Sequence, residues 1–222
     1  MKFTWRSEAL NLVLMAAMFI ASAAVWSSAP DSIPVHWDIT GQADRYGGKA
    51  EGLLMLPAVT VGLYLLLLFL PRLDPKRANY DKFAGVYRII RTILVVFMAG
   101  LHAVVIASVL GAGIDVGMAV MVMAGLMIAV LGNYFGKLKQ TWFVGIRTPW
   151  TLSSELSWRK THQLGGKLFV GFGLLLALAG LIGQDWLFYA AFGLFFASIV
   201  FLVVYSFIIW KSDPDRVNGL KT

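Results

Sequence analysis

Two clusters hold most of the side chains that could do chemistry in this 222-residue sequence. In the segment 28–52, His36, Asp38 and Asp44 combine an imidazole with two carboxylates, the donor set of a hard or borderline cation such as zinc or calcium. A folded loop in which these groups hydrogen-bond one another uses the same residues without a metal. One histidine at such loose spacing is a thin ligand set. In the segment 135–167, Ser153, Thr161 and His162 place hydroxyls near a base. Neither a Gly-x-Ser-x-Gly elbow nor a His-Glu-x-x-His pair accompanies them, so no motif supports catalysis and no cofactor is implied. Cysteine is absent, which removes disulfides, thiolate metal sites and cysteine nucleophiles.

The elements that must hold these clusters are apolar. Hydrophobic residues make up 59% of the chain and charged ones 14%, against about a quarter charged in soluble domains. A helix needs about 20 mostly apolar residues to cross the hydrocarbon layer. Six stretches fit: Glu8 to Trp26, Leu53 to Leu70, Ile89 to Leu110, Val116 to Tyr134, Leu168 to Ile182 and Trp186 to Trp210, the fifth being the shortest. They lack the period-two polarity of barrel strands. The first run, flanked by Lys2 and Arg6, resembles a signal peptide, but its length favours a retained span. The expected fold is an all-α integral membrane protein, a six-helix transmembrane bundle with one long external loop containing a short strand.

Charge sets the orientation. Placing both termini in the cytoplasm puts every lysine and arginine except Arg45 and Lys49 on that side. The net charge of +7 would suggest nucleic acid in a soluble protein; between apolar runs it reads as topology signals facing anionic lipid, with no direct nucleic-acid binding expected. Trp5, Trp26, Tyr87, Tyr134, Trp186 and Trp210 fit an interfacial belt. Residues 1–85 then hold two spans and the external loop, and residues 86–222 hold four spans and the cytoplasmic loop 135–167. This matches a multi-pass membrane protein.

The spans look chemically plain. The acidic residues fall in loops or at span ends, leaving His102 as the deep ionisable group, expected to be neutral and bonded to Ser108, Thr92 or backbone. Glycine pairs such as Gly132 with Gly136 and Gly171 with Gly173 permit close helix packing. In the external loop, Ile33, Val35 and Trp37 alternate as in a strand, and Gly41 and Gly47-Gly48 supply turns. In the cytoplasmic loop, Pro149 bars a continuous helix. Thr151 to Ser154 offer an N-cap for a short helix starting near Glu155, carrying Trp158, Arg159 and His162, that Gly165-Gly166 would stop.

At these loops the sequence resembles the SdpI family of bacterial membrane proteins. The carrying residues are Gly145-Ile146-Arg147-Thr148-Pro149-Trp150-Thr151-Leu152, preceded by Gly132-Asn133, Lys137 and Lys139, and followed by Trp158, Lys160, Thr161 and His162. Upstream, Ile33, Pro34, His36, Trp37, Gly41 and Asp44 resemble the small extracytoplasmic domain that often precedes the SdpI region. The resemblance implies a place in the bacterial cytoplasmic membrane, immunity to a secreted toxic peptide and, as in the family's namesake, signalling by capture of a cytoplasmic repressor, either or both. It marks His36, Trp37, Gly41 and Asp44 outside, and Asn133, Lys137, Arg147, Thr148, Pro149, Trp150, Thr151, Lys160, Thr161 and His162 inside, as ligand or partner residues. Asp38, Thr141 and Gln163 depart from the family pattern. Two other readings stand beside this one: a small transporter or lipid-handling protein with polar loops flanking a cavity, and a membrane-embedded metal-dependent enzyme using His36 or His162.

Overall fold

The computed structural model describes residues 5–38 and 41–216; Lys2, named above as a flank of the first span, lies outside them. Six helices are long and apolar enough to cross a membrane. In chain order the elements are α1 (Trp5–Val25), a hairpin of β1 (Ile33–Trp37) and β2 (Ala43–Gly47), α2 (Lys49–Leu73), a 3-10 helix (Arg77–Phe83), α3 (Ala84–Val109), α4 (Val116–Phe135), the single-turn α5 (Pro149–Ser153), α6 (Glu155–Ile182) and α7 (Asp185–Ser212). The molecule is a multi-pass membrane protein built from two groups of helices. α1, α2 and α3 pack on one another, α6 packs between α4 and α7, and α3 meets α4 where the groups join.

The second group depends on backbone approach. A Cβ on Gly125 would stand 2.5 Å from the Gly173 carbonyl oxygen, and one on Gly132 would stand 2.8 Å from that of Gly166. Without a hydrophobic drive between helices in lipid, such close van der Waals contact is what holds them together. Of the expected glycine positions, Gly132 and Gly173 lie in this seam, whereas Gly171 faces open space. Gly165-Gly166 therefore does not stop a helix: α6 runs through both glycines from Glu155. Near the bilayer an interrupted helix would leave backbone groups without partners, so packing on α4 overrides the glycine signal.

The spans are less plain than their composition suggests. Glu8 of α1 and Arg91 of α3 are buried, with Arg91 Nη2 donating to Glu8 Oε1 at 2.6 Å. Tyr64 of α2 donates its hydroxyl to Glu8 Oε2 at 2.9 Å, and Asn11 Nδ2 donates to the same oxygen. The expectation that His102 is the one deep ionisable group is thus corrected. Glu8 opens the first apolar run and Arg91 lies two residues into the third, so each looks like a span end when read alone. His102 is bonded to a hydroxyl and to backbone of a neighbouring helix, as expected, but the hydroxyl is Ser22 rather than Ser108 or Thr92: its Nε2 lies 3.0 Å from Ser22 Oγ and 3.1 Å from the Met18 carbonyl, both on α1.

The hairpin caps the end of the bundle away from most basic residues. β1 and β2 pair antiparallel, so the strand read from Ile33 to Trp37 has a partner that glycine-based turn signals concealed. Ile33 is fully buried with Ala29 and Leu53, which anchors the hairpin to the start of α2.

Candidate functional site

At the hairpin, His36 Nδ1 lies 2.6 Å from Asp44 Oδ1, with both side chains largely exposed. Asp38 does not join them: its Oδ1 accepts the Gln42 amide hydrogen at 3.0 Å, closing the turn. Among the described residues no three histidine, cysteine or acidic side chains converge as ligands for a metal ion. Trp37 is half-buried beside the pair. Gly41 adopts φ of +80°, and a Cβ there would meet the Gly117 Cα at 3.1 Å. The tip of the hairpin therefore rests on the first turn of α4, tying the first helix group to the second.

At the opposite end, the segment between α4 and α6 is a hydrogen-bonded knot rather than an open loop. Thr148 caps α5: its Oγ1 accepts the Thr151 amide hydrogen at 3.1 Å while Thr151 Oγ1 accepts that of Thr148 at 2.9 Å. This reciprocal box, with Pro149 at the first helical position, fixes where α5 starts. Thr151 Oγ1 also donates to the Ile146 carbonyl, and Thr148 Oγ1 lies 3.0 Å from Ser206 Oγ of α7. Ser154 caps α6 through the Ser157 amide and bonds Asp213 beyond α7. The expected N-cap and helix start are both present.

His162 is fully buried, one turn after Trp158, and stacks on its indole with centroids 4.0 Å apart. Nδ1 faces the Trp158 carbonyl at 2.7 Å, and Nε2 accepts the Ile146 amide hydrogen at 2.8 Å. That arrangement needs a neutral ring carrying its proton on Nδ1. No lone pair is left for a metal or for a reacting proton, so this histidine positions the Gly145-Ile146 turn. Gly145 has φ of +121°, and a Cβ on it would stand 2.4 Å from His162 Nε2. The glycine is required on both grounds.

The α2–α3 connection completes the knot. Asp74 is buried and accepts from Tyr80 Oη at 3.0 Å, from the Trp142 amide at 2.9 Å and from the Lys76 amide at 2.7 Å. Gln140 Nε2 donates to the Thr151 and Leu152 carbonyls, its Oε1 accepts from Lys76, and its backbone carbonyl accepts from Asn79. Burial lowers the Lys76 pKa, against a pull upward from Glu155 and Asp74.

The residues marked in advance thus separate into two sets. Thr148, Thr151, Thr161 and His162 are buried. Trp150 packs on Phe207 of α7. Asn133, Lys137, Arg147, Pro149 and Lys160 are exposed, Lys137 over the Tyr134 ring. Arg147 Nη1 donates to the Trp142 carbonyl at 2.6 Å, and the Trp142 and Phe143 side chains are exposed. Sequence reasoning passed over Asp74, Gln140 and Ser206, whose roles lie in long-range partners with no local signature. The Glu8–Arg91 pair did carry a signal: opposite charges inside two apolar runs.

Residues 137–210 match the SdpI/YfhL protein family, and residues 13–61 match a domain of unknown function (DUF1648). The chain is 19% identical over 214 residues to the immunity protein SdpI of Bacillus subtilis (strain 168), covering 96% of this chain and 99% of that protein. It is also 38% identical over 50 residues to an uncharacterized protein of Archaeoglobus fulgidus, covering 22% of this chain and 27% of that protein. No solved structure matches. The segment that matches the SdpI/YfhL protein family holds the α5 capping box and the His162 post.

Proposed function

We propose that this protein is an immunity protein that protects a bacterial cytoplasmic membrane against a secreted toxic peptide, acting as a binding protein rather than an enzyme. The observation that carries this reading is end-to-end similarity to the immunity protein SdpI, which spans both the hairpin and the knotted segment. Both termini and the knot lie in the cytoplasm, as the positive-inside rule favours, and the hairpin with His36, Trp37 and Asp44 faces outside, where it meets the peptide. The buried residues of the knot hold it in shape. Arg147, with Trp142 and Phe143, is the exposed patch through which a cytoplasmic partner such as a repressor is recruited. A basic group beside exposed aromatics suits a protein surface, where Arg and Trp carry much of the binding energy.

The test is survival. A bacterium killed by a secreted toxic peptide, expressing this chain from a plasmid, is expected to outlive the same strain with an empty vector. Equal killing removes the immunity reading for that peptide.

A further inference from the structure

The basic end of the molecule holds a cavity of about 340 Å³ between the 3-10 helix, the end of α4 and the first turns of α6. Lys82 from the 3-10 helix, Lys139 from the segment after α4 and Arg159 from α6 line it. All three are exposed, and none has an ion-pair or hydrogen-bond partner among the described residues. Glu155 is the one carboxylate in the lining, and its charge acts on Lys76 in the neighbouring cleft. The floor is rigid: Trp158 is buried with its Nε1 bonded to the Leu138 carbonyl at 2.9 Å. Three cations against one carboxylate around a single cavity leave an excess of positive charge that a bound anion relieves.

The charge continues along α6. A groove of about 270 Å³ shares Gly136 and Gln163 with the cavity and adds Lys167. Arg159, Gln163 and Lys167 recur at four-residue spacing, so they share one face of the helix. Beyond Lys167 the helix is apolar to its end, which sets this face at the depth where lipid headgroups begin.

We propose that this trough is a phosphate site that holds the headgroup of an anionic phospholipid, with Lys82, Lys139 and Arg159 around the phosphate and Lys167 following the glycerol side toward the bilayer. Basic pockets between membrane helices on the cytoplasmic side suit such headgroups. The site is independent of the immunity reading, because it rests on charge and cavity geometry alone.

The full chain, purified in a neutral detergent, is titrated with phosphatidylglycerol, with phosphatidylcholine and with inorganic phosphate while its unfolding midpoint is followed. Phosphatidylglycerol is expected to raise the midpoint by binding the folded state, and phosphatidylcholine to leave it unchanged. The triple variant Lys82→Gln, Lys139→Gln, Arg159→Gln is expected to bind phosphatidylglycerol at least about tenfold more weakly. A triple variant elsewhere on the same end, Arg72→Gln, Arg77→Gln, Lys211→Gln, keeps the wild-type response. If the first triple variant does not fold, the single variants Lys82→Gln and Arg159→Gln are compared with wild type by native mass spectrometry for retained phosphatidylglycerol, and each is expected to retain less. A shift with inorganic phosphate that the triple variant loses supports the site with a soluble ligand. An equal shift with phosphatidylcholine, undiminished binding by the triple variant, or undiminished retention by the single variants overturns the proposal.

Discussion

Arg91 of α3 reaches across the first helix group to Glu8 of α1 at 2.6 Å, with both side chains removed from solvent and lipid. Removing one partner strands a buried charge, which costs about 3–5 kcal/mol, whereas replacing both with apolar residues is often nearly neutral. Arg91→Met alone is therefore expected to destabilise the protein by that order, and Glu8→Met with Arg91→Met to recover part of the loss, the remainder reflecting the Tyr64 and Asn11 donors that lose their acceptor. Thermal unfolding of the two single variants and the double variant in detergent measures the coupling; additive losses would deny it.

Gly145 allows a similarly sharp expectation. Gly145→Ala brings a Cβ onto His162 Nε2 and forces a side chain into left-handed φ. The variant is expected to accumulate poorly in the membrane, while Gly171→Ala, which meets open space, accumulates like wild type. Quantitative detection of membrane-inserted protein distinguishes the two.

His162→Phe keeps the stack on Trp158 but removes the acceptor of the Ile146 amide, leaving a buried donor unsatisfied at a cost of about 1–3 kcal/mol. A lower unfolding midpoint is expected from this substitution. A stable variant would mean that the histidine is not holding the turn.

His36 and Asp44 satisfy each other, and Asp38 is engaged with its own turn. Zinc and a chelator should therefore give the same unfolding midpoint. A zinc-dependent rise that His36→Ala abolishes would restore the metal reading of this loop.

Because the chain has no cysteine, single introduced cysteines report sidedness cleanly. Tyr46→Cys is expected to react with a membrane-impermeant maleimide in intact cells, and Phe143→Cys only after permeabilisation. Both side chains are exposed in the fold, so access is decided by the membrane. The reverse pattern would invert the proposed orientation.

How much of this was legible in the sequence depended on the range of each interaction. The six spans emerged from local hydropathy, as did Ser154 as the cap of α6, because caps and apolar runs are written in neighbouring residues. The continuity of α6 through Gly165-Gly166 was not legible, since it depends on α4 packing against those glycines. β2 was hidden because Asp44 and Arg45 do not look like strand residues; its pairing to β1 comes from the hairpin closing on the start of α2. In the knot, the motif marked the right residues but not their work. Thr148, Thr151 and His162 look like ligand-binding side chains until their partners Ser206 and Ile146 are seen.

In the proposed immunity function the outer hairpin meets the peptide, the exposed patch at the knot recruits the partner that protection requires, and the buried knot residues maintain shape. Survival of a toxin-exposed strain expressing Arg147→Ala, compared with wild type at matched membrane levels and unchanged unfolding midpoint, tests this most directly. Protection is expected to fall at least about tenfold, the loss of one strong arginine contact. Full protection by Arg147→Ala would contradict it.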